Sequence, residues 1–239
     1  MMNLDLLFQA SAWASLLTLT AMEIVLGIDN IVFISVLVSR LPAEQSKRAR
    51  QIGLALALVF RILLLLVLSW LIGLTEPVIT VFGNGLSWRD LILLAGGVFL
   101  IYKATHEIHQ GVEGEGEENA KPVVAGFAAI IAQIIVIDMV FSVDSIVTAI
   151  GMAEHVEIMI LAVIIAMGVM YLASGAISSF IERHPTTKML ALAFLLMIGF
   201  ALAADAFGFH IPRGYIYTAM AFSAFVEILN VAAKRKRTE

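Results

Sequence analysis

The sequence predicts an all-α polytopic membrane protein with seven transmembrane helices, arranged as an inverted 3+3 repeat plus one C-terminal helix. Three observations carry this expectation. Of the 239 residues, 61% are hydrophobic and 14% charged, with a mean hydropathy of +0.97. A soluble domain averages about 45–50% apolar and about 25% charged, so this chain carries more apolar surface than a water-soluble core of its size can bury. Second, seven apolar stretches approach the roughly 20 residues that a bilayer-crossing helix needs. Third, two acidic motifs recur at an offset of 115 residues.

The expected spans are 12–38, 52–73, 90–105, 123–151, 156–180, 189–207 and 214–233. Residues 1–12 lack a basic leader and a small-residue cleavage site, so the first stretch is expected to stay as a span rather than be removed as a signal peptide. The third span has an alternative start near Val78, with a break at Gly83–Gly85. Pro42, Pro77, Pro122, Pro185 and Pro212 all fall between spans. Proline removes a backbone donor and ends helices, which supports those boundaries. The whole chain reads as a single membrane domain over 1–239, with repeat one at 12–105, repeat two at 123–207 and an additional helix at 214–233.

The net charge of −4 is mild, but its placement is informative. Arg40, Lys47, Arg48 and Arg50 follow span 1; Lys103 and Lys121 follow span 3. Arg183 and Lys188 follow span 5; Lys234, Arg235, Lys236 and Arg237 follow span 7. These twelve share one side of the membrane, and only Arg89 and Arg213 lie on the other. Basic residues mark the cytoplasmic side. The expected topology has the N-terminus outside and the C-terminus in the cytoplasm.

The first motif reads Glu23-Ile-Val-Leu-Gly27-Ile-Asp29-Asn30-Ile31-Val32, and the second Asp138-Met-Val-Phe-Ser142-Val-Asp144-Ser145-Ile146-Val147. Each has an acid, a small residue at +4, a second acid at +6 and a small polar residue at +7. Each opens a three-helix group. Three is odd, so the groups are expected to cross the membrane in opposite directions, as in the inverted repeats of secondary transporters.

A charge at the centre of a spanning helix costs about 2.5–3.5 kcal/mol on insertion scales. Packing gains do not retain four such acids, so Glu23, Asp29, Asp138 and Asp144 point to a cation site or a proton relay. The competing structural role is interhelical hydrogen bonding. Six residues along an ideal helix leave two side chains about 120° apart and about 9 Å along the axis. Convergence on one ion therefore calls for local unwinding at Gly27 and Ser142. With Asn30, Ser142 and Ser145 the prospective ligands are all oxygen, which suits Mg²⁺, Ca²⁺ or Mn²⁺. There is no cysteine and no His deep in a span, which disfavours zinc and copper and excludes thiolate chemistry.

Several further residues stand out. Met22 and Met139 flank the acids and are read as packing residues that offer a thioether at most. Arg61 lies inside span 2, where it either pairs with one of the acids as an internal counter-ion or snorkels to the cytoplasm. It has no counterpart in repeat two, where position 176 is Ala. Asp205 and Glu227 are further candidates: Asp205 either belongs to a site or is solvated near an external end, and Glu227 either lines a cavity or packs helices. His106, Glu107, His109, Gln110, Glu113, Glu115, Glu117 and Glu118 form an acidic cytoplasmic connector that could gather cations.

The paired motifs, the seven spans, Arg89-Asp90-Leu-Ile-Leu-Leu and Glu182-Arg183-His184-Pro185 resemble the TerC family of integral membrane proteins over nearly the whole chain. The likeness is to short bacterial members without an appended CBS or transporter-associated domain. The resemblance implies metal-ion homeostasis, chiefly Mn²⁺ efflux and metal supply to exported proteins, with Glu23, Asp29, Asp138 and Asp144 as metal-binding positions.

The function expected is export of a divalent cation, with Mn²⁺ as transported ion, by alternating access at a site between helices 1 and 4. Ca²⁺ transport, or an accessory subunit that supports metalation of exported proteins, is the alternative. An intramembrane aspartyl protease is disfavoured, because Gly27-Ile-Asp29 lacks the second glycine of Gly-x-Gly-Asp. No P-loop is present, so the chain is not expected to hydrolyse ATP alone, and as a transporter it is not expected to be an enzyme. No permanently bound cofactor is expected. The expected partners are the divalent cation, protons as counter-ion, the lipid bilayer, and a homo-oligomer or a secretion-related protein. Nucleic acid is not among them.

Overall fold

A computed structural model describes residues 10–67, 74–81, 84–113, 126–150 and 155–235. Seven of its helices are long and apolar enough to cross a membrane. They are α1 (Ala10–Val38), α2 (Ala43–Leu66), α3 (Trp88–Glu113), α4 (Phe127–Ile150), α5 (Val156–Arg183), α6 (Pro185–Ala206) and α7 (Arg213–Arg235).

Local chemistry fixes the ends. Pro42 stands at the start of α2 with φ −52° and ψ 146°, and Glu44 places an acid in the first turn, where the helix dipole favours it. The α3 terminus is a capping box. The Ser87 backbone N–H donates to Asp90 Oδ2 at 2.9 Å, and the Asp90 N–H donates to Ser87 Oγ at 3.2 Å. Pro185 is the first residue of α6, where its missing N–H costs nothing. Two residues past the end of that helix stands Gly208, whose φ of +81° is the left-handed conformation glycine tolerates. The Phe209 N–H there closes onto Ala204 O at 3.0 Å. Pro122 lies outside the described residues.

Two expectations are corrected. Gly83 lies outside the described residues, but the described part of the segment from Val78 to Gly85 does not begin a third span. It contributes to a two-stranded antiparallel hairpin, β1 (Pro77–Val81) and β2 (Asn84–Ser87), paired Thr80 to Gly85 and Val81 to Asn84. The β-branched run Val78-Ile79-Thr80-Val81 prefers extended backbone, which decides the matter. Second, α1 and α4 are unbroken through Gly27 and Ser142. No unwinding occurs at either place.

The chain divides into two compact units: Met1–Glu76 with Val124–Ile177, and Pro77–Val123 with Ser178–Glu239. The first holds α1, α2, α4 and most of α5. Its principal contact is α2 on α4, with α1 against both. Gly53 permits the α2–α4 approach: an added Cβ would lie 2.9 Å from Ile134 Cγ2. The second unit holds the hairpin, α3, α6 and α7. Its α3 and α6 cross at Gly97 and Gly199, where each added Cβ would meet the other residue's carbonyl oxygen, at 2.7 and 2.9 Å. Each predicted three-helix group thus gives its first two helices to one unit and its third to the other.

Candidate cation site

All seven candidate residues lie in the first unit, and all are buried. Relative exposures are 3% for Glu23, 3% for Asp29, 4% for Asn30, 4% for Asp138, 0% for Ser142, 8% for Asp144 and 5% for Ser145. Placing four acids in apolar helices has been matched by one buried cation. Arg61, itself 3% exposed, projects from α2 between α1 and α4.

All three guanidinium nitrogens donate. Its Nη1 donates to Glu23 Oε2 at 2.6 Å. Its Nε and Nη2 donate to Asp138 Oδ2 and Oδ1 at 3.4 and 3.1 Å. This two-point grip on Asp138 is the geometry that arginine offers and lysine does not. Asn30 Nδ2 adds a bond to Asp138 Oδ1 at 3.3 Å, and Ser142 Oγ one to Oδ2 at 3.2 Å. The Asp138 carboxylate therefore accepts four hydrogen bonds, about its full lone-pair capacity. Two carboxylates and one guanidinium leave a formal charge of −1. Asn30 Oδ1 is buried and has no hydrogen-bond partner.

The structure thus brings Glu23, Asn30, Asp138 and Ser142 together around Arg61. Ser145 Oγ instead donates to Ser142 O of its own helix at 3.3 Å. Asp29 and Asp144 are buried six residues along α1 and α4 from the acids that Arg61 bridges. On an unbroken helix that spacing turns them about 120° away. Among the described residues, no three His, Asp or Glu side chains stand as a ready metal-ligand set. Arg61 holds the space between the two nearest acids.

A cavity of about 10 Å³ opens beside Glu23, lined also by Leu19, Leu65, Ile146, Met159, Ala162 and Val163. That is space for roughly one water. Leu19 precedes Glu23 by one turn in α1, and Leu65 follows Arg61 by one turn in α2. Ile146 lies beyond Asp138 in α4, and Met159 to Val163 occupy the first turns of α5. The cavity therefore sits towards the end of the unit where α1 and α5 begin and α2 and α4 finish.

Other sequence readings resolve individually. Arg61 is inside and doubly paired, with no snorkelling. Met139 is 37% exposed, so it turns from the acids. The methionine that sequence reasoning missed is Met170, 2% exposed, whose sulfur fills the space an added Gly27 Cβ would need. Asp205 is buried rather than solvated. Its carboxylate pairs with Arg213 at 3.3 Å and His210 at 3.1 Å, across the α6–α7 turn. Glu227 packs helices: it accepts hydrogen bonds from Thr186 and Thr187 at 2.5 and 3.1 Å. His106 to Glu113 continue α3 as helix, with Glu107 buried at 8%. Glu115, Glu117 and Glu118 lie outside the described residues.

Comparison with known proteins agrees with the sequence resemblance. The sequence model of the Integral membrane protein TerC family matches residues 8–239. The UPF0053 inner membrane protein YgdQ of Escherichia coli K12 is 51% identical over 226 residues, 95% of each chain. A UPF0053 protein of Haemophilus influenzae is 51% identical over 225 residues, covering 94% of this chain and 95% of that one. The UPF0053 inner membrane protein YoaE of E. coli K12 is 48% identical over 233 residues, 97% of this chain but 45% of that protein. No solved structure matches the chain. By family match and by identity across its length, the chain belongs to the TerC family of integral membrane proteins.

Proposed function

We propose that the chain is a secondary transporter that exports a divalent metal cation, Mn²⁺ foremost, across the bacterial inner membrane. The ion would be held in passage by oxygen ligands drawn from Glu23, Asp29, Asn30, Asp138, Ser142, Asp144 and Ser145 of α1 and α4, not by all at once, since neither helix unwinds. The observation that carries this reading is the burial of four acids and one arginine in helices apolar enough to span a bilayer. A set of this kind is costly to keep unless ions or protons pass through it. Oxygen donors favour a hard cation. Family membership supports the choice of Mn²⁺ within that class. Protons are the proposed counter-ion, entering from outside, neutralising carboxylates and releasing the metal.

The reading includes the inverted relation of the two acidic motifs and an external N-terminus. On that orientation the cavity beside Glu23 lies towards the outside, where protons would arrive. Purified protein in liposomes tests the proposal. Mn²⁺ flux is expected in the wild type, with at least a tenfold loss in Asp29→Asn and Asp144→Asn. Unaltered flux in both variants rejects it. Absence of flux, with a stoichiometric partner co-purifying, would favour an accessory subunit.

A further inference from the structure

We infer that Arg61 is a tethered counter-cation: it occupies the place of the transported ion between Glu23 and Asp138, and a divalent ion binds there by displacing it. The inference rests on the reading of these acids as a cation site and adds how that site discriminates between cations.

The geometry is that of a filled cation site. One guanidinium spans carboxylates from two helices, at 2.6 Å from Glu23 and 3.1 Å from Asp138. Two neutral groups already stand round it. Ser142 Oγ is 3.2 Å from Asp138, and Asn30 reaches the same carboxylate through its Nδ2 at 3.3 Å. The Asn30 amide oxygen is left buried with no donor. A buried amide oxygen without a partner is costly in a structural network, whereas a hard cation arriving beside Asp138 would take it as a ligand.

Charge then dictates the exchange. The two carboxylates and Arg61 sum formally to −1. A divalent ion between the carboxylates alone neutralises them. A divalent ion added beside Arg61 faces a like charge at contact distance in a medium that screens poorly. The two states therefore exclude each other. A monovalent ion replaces one positive charge by another and forfeits three charge-assisted hydrogen bonds, so it gains nothing. Only a divalent ion adds charge to the site on displacing the arginine. Arg61 thus selects for divalent over monovalent cations, and it weakens the affinity for the ion that binds.

Isothermal titration of Mn²⁺ into the detergent-purified full chain tests this, with wild type, Arg61→Lys and Arg61→Gln. Arg61→Gln is expected to bind Mn²⁺ about tenfold tighter or more, since one opposing charge has gone. Arg61→Lys, a point charge unable to hold both carboxylates in a fork, is expected between the two. Na⁺ should compete with Mn²⁺ in Arg61→Gln beyond the effect of equal choline chloride, and not in wild type. A merely structural arginine predicts the reverse, weaker binding in both variants. Equal or weaker affinity in a monodisperse variant overturns the inference; if Arg61→Gln does not fold, Arg61→Lys decides alone. The outcomes separate from those of the transport reading. Wild-type flux with unchanged affinity in the variants rejects only the counter-cation. No wild-type flux with tighter binding by the variants rejects only transport. Failure of all three proteins to bind Mn²⁺ rejects both.

Discussion

Asp138 holds four hydrogen bonds, and two come from a guanidinium that, among the described residues, is paired with one other carboxylate. Its loss is therefore unlike the loss of its neutral neighbours. Asp138→Ala removes one partner of a buried ion pair, for which about 3–5 kcal/mol is typical. Ser142→Ala removes one hydrogen bond and should cost about 1 kcal/mol. Denaturant unfolding of the purified chain checks the contrast; comparable losses would contradict the assigned network. The acids were legible in the sequence, because a carboxylate inside an apolar run stands out against its neighbours. The pairing of Arg61 was legible only in part. Its location in span 2 announces a need for a partner, but the partners lie 38 and 77 residues away. Nothing in the local pattern says that it takes both. Position 176, an alanine where the repeat would place a second arginine, gives no clue either.

Helices were read more securely than the places where they bend or meet. Proline positions and apolar runs located all seven. The hairpin was missed because β1 is as apolar as the spans beside it, so hydropathy alone does not set it apart. The β-branched run from Val78 to Val81 was the clue available. Gly27 was taken as a hinge, although glycine also serves close packing, and only the position of Met170 decides between the two. Gly97 and Gly199 follow the same logic at the α3–α6 crossing. Gly97→Ala should destabilise the chain by about 1–3 kcal/mol, since the new methyl meets backbone rather than a yielding side chain. Gly111→Ala meets only the Met189 sulfur, at 3.2 Å, near the free end of α3. It should be neutral or stabilising by up to about 1 kcal/mol through helix propensity. Thermal melts of the two variants in detergent give the comparison; equal shifts would contradict the crossing.

The whole molecule carries its proposed orientation in its charges. On the proposed orientation, the twelve-to-two division of basic residues would put the α1–α2 and C-terminal segments in the cytoplasm and the α6–α7 turn outside. Because the chain has no cysteine, single cysteines report sidedness without background. Phe209→Cys, at an exposed position in the α6–α7 turn, should react with a membrane-impermeant maleimide on intact spheroplasts. Glu44→Cys, at the exposed start of α2, should react only after permeabilisation. The opposite labelling would invert the chain, and the cavity beside Glu23 would then face the cytoplasm. Orientation decides from which side protons and metal reach the buried acids, but not whether those acids hold metal at all. Electron paramagnetic resonance titration of Mn²⁺ against the purified wild type and Glu23→Gln addresses that directly. Asp138 keeps its two-point hold on Arg61 in this variant, so the fold is expected to persist. The account predicts one bound Mn²⁺ per wild-type chain and about a tenfold or greater loss of affinity in Glu23→Gln. A wild type that binds no Mn²⁺, or a variant that binds it equally well, would contradict the account.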